Sequence, residues 1–209
     1  MVNTNLNCRV GRNEVETHHF SGVLRSFDMS EVINFEDEIL DEEEGRDMHS
    51  KKHSMAQTNL TGLFYNDERF TTFVELSLDV SSIDLSQFGL KNKDEVIPDI
   101  SVYLDPPPDD DDGPGDDEVR VTKMPDLAIE VLSPTQAIND LLKKIKAYFA
   151  FGVKACWLVI PSLDEVRVFS QPRSYKIFDI QRDTEVVDEV MDINLPIQKV
   201  LRRRYNKRA

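Results

Sequence analysis

With 209 residues, 40% of them hydrophobic, the chain is long enough for one domain with a substantial core and too apolar for wholesale disorder. It has no run of about 18 apolar residues, which excludes a membrane-spanning helix. Twenty-five basic against 39 acidic residues give a formal net charge of −14, the wrong sign for a protein that holds duplex DNA by bulk charge, since such affinity comes largely from counterions displaced by Lys and Arg.

The charge is segregated. Residues 28–47 carry ten acidic side chains against the single Arg46, and a second acidic block fills residues 105–118. The end of the chain gathers Lys199, Arg202, Arg203, Arg204, Lys207 and Arg208. Local basic patches of this kind leave nucleic-acid contact open in an acidic protein. The N-terminus lacks the apolar core of a signal peptide. Cys8 and Cys156 stand far apart without metal-ligand spacing, so a reducing cytoplasm is the expected compartment.

Residues 1–30 show no clean period beyond a short strand at 22–27, and residues 30–47 fit an acidic helix or a strand pair. From residue 53 to 64, Met55, Leu60, Leu63 and Phe64 fall roughly at helical spacing and predict a helix lying on a sheet. The period then changes to two: Phe73, Leu76, Leu78 and Val80 predict a strand over 70–80. Residues 79–92 are polar and turn-rich. A second strand is expected over 96–104, with Pro98 tolerated near its start or on an edge. Residues 105–117 offer almost nothing to bury and repel one another, as in a long mobile loop, and match no EF-hand spacing.

Leu127-Ala128-Ile129-Glu130-Val131-Leu132 reads as a strand stopped by Ser133-Pro134. Ile138, Leu141, Leu142, Ile145, Tyr148 and Phe149 predict a helix over 136–151, capped by Ser133 or Thr135 and ended by Gly152. Residues 155–160 form a continuous apolar run, as in a strand buried on both faces, and further strands follow over 166–170 and 174–180. Strand, helix and strand over 127–160 make a βαβ unit. A mixed sheet flanked by helices is the expected fold.

Three residues in this layout carry chemistry. Asp99 follows a proline on a strand, Glu130 sits inside an otherwise apolar strand, and Lys144 lies on the helix that leaves it. A carboxylate in such a strand must be paired, protonated or metal-bound. The plain alternative is a strand residue facing water at a sheet edge. Asp140 and Lys144, four apart, could equally form a surface ion pair worth a few tenths of a kcal/mol, and Lys143 and Lys146 compete for any role given to a lysine. His18, His19, His49 and His53 show no zincin spacing.

The run Pro125-Asp126-Leu127-Ala128-Ile129-Glu130-Val131-Leu132-Ser133-Pro134 is similar to the signature of the Uma-type "putative restriction endonucleases", domain of unknown function 820. So are Asp140, Lys144, Tyr148, Gly152-Val153 and Trp157-Leu158-Val159-Ile160-Pro161, in register throughout. Ile97-Pro98-Asp99-Ile100 resembles the family's Pro-Asp strand, and His53 matches a histidine of its first helix. The resemblance is close over 96–169 and loose over 30–95.

It implies a PD-(D/E)xK nuclease: an α/β (α+β) restriction-endonuclease-like core, a mixed sheet flanked by helices. It further implies DNA as substrate, Mg²⁺ (or Mn²⁺) held by Asp99 and Glu130, and a homodimer where both strands are cut. The superfamily's lysine stands two residues after the glutamate; here that position is Leu132, and Lys144 supplies the amine instead. Glu42 or Glu43 is a candidate third metal carboxylate, with Gln136 and Asp140 lining the same side. Glu38-Ile39-Leu40-Asp41-Glu42 is the nearest run to the family's Glu-Leu-x-x-Gly and lacks the glycine.

On this basis the chain divides into an extension (1–29), a restriction-endonuclease-like domain (30–198) bearing the acidic loop 105–118, and a basic tail (199–209). The expected activity is Mg²⁺-dependent hydrolysis of DNA. Its alternatives are an inactive nuclease-fold binding or regulatory module, and an acidic module that contacts a basic partner.

Overall fold

In the computed structural model of the chain, residues 50–91, 94–108 and 119–202 are described, and all fall within one compact unit. The expectations for residues 22–27, for 30–47 with Glu42 and Glu43, for 109–118 and for the basic residues beyond Arg202 lie outside the described residues.

The first helix, α1 (Lys51–Tyr65), starts where Ser50 accepts a hydrogen bond from the His53 backbone N–H. Its buried face is His53, Ala56, Asn59, Leu60 and Phe64, the three-and-four spacing of a helix laid on a sheet. The strand expected over 70–80 is divided into β1 (Thr71–Val74) and β2 (Leu78–Asp79). Glu75 between them has φ +54°, a left-handed conformation that ends a strand and turns the chain away. The expected strand 96–104 also breaks, into β3 (Glu95–Val96) and β4 (Ile100–Tyr103). Pro98 lies at the break, with no N–H to continue a ladder. β2 and β3 pair in a small antiparallel sheet of their own.

The main sheet adds β5 (Leu127–Val131), β6 (Ala155–Ile160), β7 (Glu165–Gln171) and β8 (Ser174–Asp179), in the order β1-β4-β5-β6-β7-β8. Only β5 and β6 are parallel, joined through α2 (Ile138–Ala150) as the βαβ reading requires; the other pairs are antiparallel. α2 starts at Ala137 with no side-chain cap. Neither Ser133 nor Thr135, the expected caps, serves as one, and the Ser133 hydroxyl is buried without a hydrogen-bond partner. Beyond α2, Gly152 takes φ +96°, the left-handed position that favours glycine after a helix.

Strand alternation sends Leu127, Ile129, Val131, Trp157 and Val159 to a core beneath α1. It sends Ala128, Cys156, Leu158, Ile160 and Phe169 to a second core beneath α2. Covered on both faces, β5 and β6 are buried along their whole length, which is why they read as apolar runs. The sequence reading leaves residues 181–198 unassigned. There β9 (Glu185–Asp188) and β10 (Ile193–Pro196) form a hairpin and α3 (Ile197–Leu201) closes the first core. No described helix is long and apolar enough to cross a membrane.

Candidate active site

Glu130 shares its face of β5 with Ala128 and so points toward α2, while its neighbours Ile129 and Val131 point toward α1. Side chains four apart on a helix stack along one face, and on α2 that places Lys144 and Tyr148 together over Glu130. The Lys144 Nζ lies 3.3 and 3.2 Å from the two carboxylate oxygens and donates to the Ile97 carbonyl at 3.1 Å. The Tyr148 hydroxyl donates to Glu130 Oε1.

Glu130 is 2% exposed. Burial pushes its carboxyl up to about 7; the Lys144 ammonium pulls it down, the Asp99 charge raises it, and the Tyr148 hydrogen bond lowers it. Desolvation wins because a charge taken out of water loses more than one partly exposed ammonium returns. The same burial, together with the charge of Glu130, holds the Tyr148 hydroxyl and the Cys156 thiol well above their ordinary ranges.

Asp99 sits at the break between β3 and β4, beside the end of β5. Its Oδ2 accepts from the Val131 N–H at 2.6 Å and its Oδ1 stands 3.5 Å from His53 Nε2. Its carbonyl accepts from Gln57 Nε2 and from the Glu75 N–H. Because the residue after Glu130 holds Asp99 in place, the two carboxylates converge. The register Ile100↔Ile129 creates this neighbourhood across 31 residues of sequence.

The structure thus brings Asp99, Glu130 and Lys144 together. The Asp140–Lys144 surface pair weighed from spacing does not form: Asp140 pairs with Lys143 at 2.7 Å, and Lys144 turns inward. Gln136 lies in the connection from β5 to α2, where its N–H meets the Ser133 carbonyl. The contacts of Tyr148 with Glu130 and of Gln57 with Asp99 answer to no sequence expectation. The four-residue step from Lys144 was the available signal for Tyr148.

Among the described residues no group of three or more His, Cys, Asp and Glu side chains could hold a metal ion. The pair Asp99 and Glu130 nevertheless suits a hard divalent cation such as Mg²⁺, which commonly takes one or two carboxylates and keeps several waters.

One consequence can be tested on the metal-free protein. Tyr148→Phe removes a hydrogen bond that favours ionised Glu130. A bond of about 1 kcal/mol shifts a pKa by roughly 0.7 unit, so ¹³C NMR titration should find the Glu130 carboxyl titrating higher in the variant. An unchanged or lower value would mean that Tyr148 does not control this carboxylate.

Residues 40–198 match the family Uma2, described as "Putative restriction endonuclease". Among solved structures, the chain is similar to a "putative nuclease belonging to DUF820" from Anabaena variabilis ATCC 29413. The two share 22% identity at a TM-score of 0.57, over 73% of this chain and 81% of that one. At that identity the likeness is one of fold. No curated protein matches the chain.

Proposed function

Because this chain belongs to the Uma2 family of restriction-endonuclease-like proteins, we propose that it is a metal-dependent endonuclease hydrolysing DNA phosphodiester bonds at Asp99, Glu130 and Lys144. The observation that carries this reading is the convergence of two carboxylates and one ammonium at a single point of a buried sheet, where burial pushes the Glu130 carboxyl up to about 7. Strongly shifted groups with a specific charge partner mark functional sites more often than chance.

In this reading Asp99 and Glu130 hold Mg²⁺ or Mn²⁺. When bound, such an ion lowers the pKa of a water and offsets charge on the phosphate. The chain's own residues prepare the site. The Val131 N–H and His53 fix the Asp99 carboxylate, Tyr148 fixes one oxygen of Glu130, and Lys144 favours the ionised form of Glu130. With 27% of its side chain exposed, Lys144 also reaches the surface, where its ammonium is placed to meet negative charge building on a phosphate. It thereby takes the role of the lysine missing at Leu132.

The test is incubation of supercoiled plasmid and of single-stranded DNA with Mg²⁺ or Mn²⁺, with and without chelator. Metal-dependent nicking or linearisation is expected; direct linearisation would point to a homodimer and nicking to one active centre. Absence of cleavage of any substrate would overturn the reading. A second reading, a nuclease fold that binds without cutting, draws on the Lys144–Glu130 pair, which balances the buried charge inside the protein. It predicts no Mg²⁺ or Mn²⁺ binding at millimolar concentration.

A further inference from the structure

A groove runs between α2 and the β7–β8 hairpin on the same side of the sheet as Glu130. Cross-strand register puts Glu130, Leu158 and Arg167 in one row, and Ala128, Cys156, Phe169 and Tyr175 in the next. With strands about 4.8 Å apart, Arg167 stands roughly 10 Å from Glu130 across the sheet. The cavity holds about 500 Å³; Lys143 and Lys146 line it from α2, and Phe169, Arg173 and Tyr175 from the hairpin.

Two properties set this groove apart in a chain of net charge −14. Three cationic side chains line it, with Arg167 beside them; Lys143 is paired with Asp140 and Arg167 with Glu165. It also presents an aromatic ring that is braced and still accessible. Tyr175 is 46% exposed, its ring centroid lies 4.7 Å from that of Phe169 at an interplanar angle of 36°, and the Arg167 guanidinium stands 5.7 Å from its centroid. A supported aromatic face among cations is how proteins hold unpaired bases; a duplex keeps its base faces in its own stack and offers such a ring only sugar and phosphate.

We propose that this groove binds a single nucleic-acid strand next to the Glu130 centre, with a base stacked on Tyr175 and phosphates at Lys143, Lys146 and Arg173. The assignment of that strand as substrate rests on the nuclease reading above; the binding itself does not.

The experiment is fluorescence anisotropy of the full chain with a labelled twelve-residue oligothymidine and with a duplex of equal length, in chelator. The single strand should bind more tightly than the duplex. Tyr175→Ala should weaken it by about 5- to 150-fold, the range of one base–aromatic stack, and Tyr175→Phe should restore it. Lys146→Glu combined with Arg173→Glu should weaken binding and flatten its salt dependence. Unchanged single-strand affinity in Tyr175→Ala and in the double variant would overturn the proposal, as would tighter binding of the duplex by the native chain. Binding needs no metal here, so the two readings separate. Tyr175-dependent binding with no cleavage on adding Mg²⁺ sinks the nuclease and leaves the groove, whereas cleavage without Tyr175 dependence does the reverse.

Discussion

Glu130→Gln should yield a protein that cuts no DNA and yet melts at a higher temperature than the native chain at pH 8. The burial that raises the Glu130 carboxyl from 4.5 to about 7 makes the folded state hold this proton more tightly than the unfolded one. On this group's account stability is greatest below pH 4.5 and is lost as pH rises through 7. A difference of about 2.5 units corresponds to roughly 3 kcal/mol at full ionisation. Glutamine does not ionise and keeps an oxygen for the Tyr148 hydroxyl, but it leaves the Lys144 ammonium with the Ile97 carbonyl and a weaker partner. The net gain at pH 8 is therefore about 1–2 kcal/mol, or several degrees for a chain of this size. Between pH 8 and pH 5 the native protein should gain stability in chelator while the variant changes little from this source.

Mg²⁺ should reverse the comparison, because the ion stabilises whichever folded state binds it. The native chain should then rise in melting temperature and the variant should not. With one metal-holding carboxylate lost, cleavage should fall by about a hundred- to a thousandfold or more, the scale on which loss of electrostatic stabilisation is felt. A lower melting point for the variant at pH 8 in chelator would mark Glu130 as a structural carboxylate. Native-like cleavage would remove it from the site altogether.

Why some of this was legible in the sequence and some was not follows from range. The apolar runs of β5 and β6, the α2 periodicity and the stop at Gly152 are local patterns, and each names its element. Glu130 was visible because one charge in an apolar strand violates its own neighbourhood. The meeting of Asp99 with Glu130 is set by the β4–β5 register, which no local pattern records; the family signature supplied it. Lys144 rather than Lys143 or Lys146 at the site is a matter of helix phase, fixed only once β5 is known to lie under that face. The breaks at Glu75 and Pro98 were missed differently. Phe73 and Leu76 stand three apart, a shift in the alternation across Glu75, whose backbone turns left-handed; Pro98, expected near a strand start or on an edge, lies in the gap just before β4. β9 and β10, four residues each, are too short for a period to stand out.

That last hairpin holds a residue whose loss should cost the fold heavily. Asp188 is 1% exposed and its carboxylate accepts three hydrogen bonds: from Trp157 Nε1 at 2.7 Å, from the Val190 N–H at 2.9 Å and from the Met191 N–H at 3.1 Å. Asp188→Ala would leave the Trp157 indole N–H and the Met191 N–H in a closed core with no acceptor, while the part-buried Val190 N–H can turn to water. At about 1–3 kcal/mol for each unsatisfied buried group, partly relieved by local movement, the expected loss is about 3–5 kcal/mol. That is a large share of the roughly 5–15 kcal/mol that holds a domain together. The melting point should fall by about 10 °C or more. Trp157, the chain's single tryptophan, should report it directly through a shifted emission as water reaches its indole. Asp188→Asn keeps one carbonyl oxygen as acceptor and should lose about half as much. Trp157 belongs to the α1 side of the sheet, opposite Glu130, so either variant, assayed well below its melting point, should cut DNA at close to the native rate. Cleavage lost with the melting point intact would instead make Asp188 part of a functional site on the α1 side of the sheet.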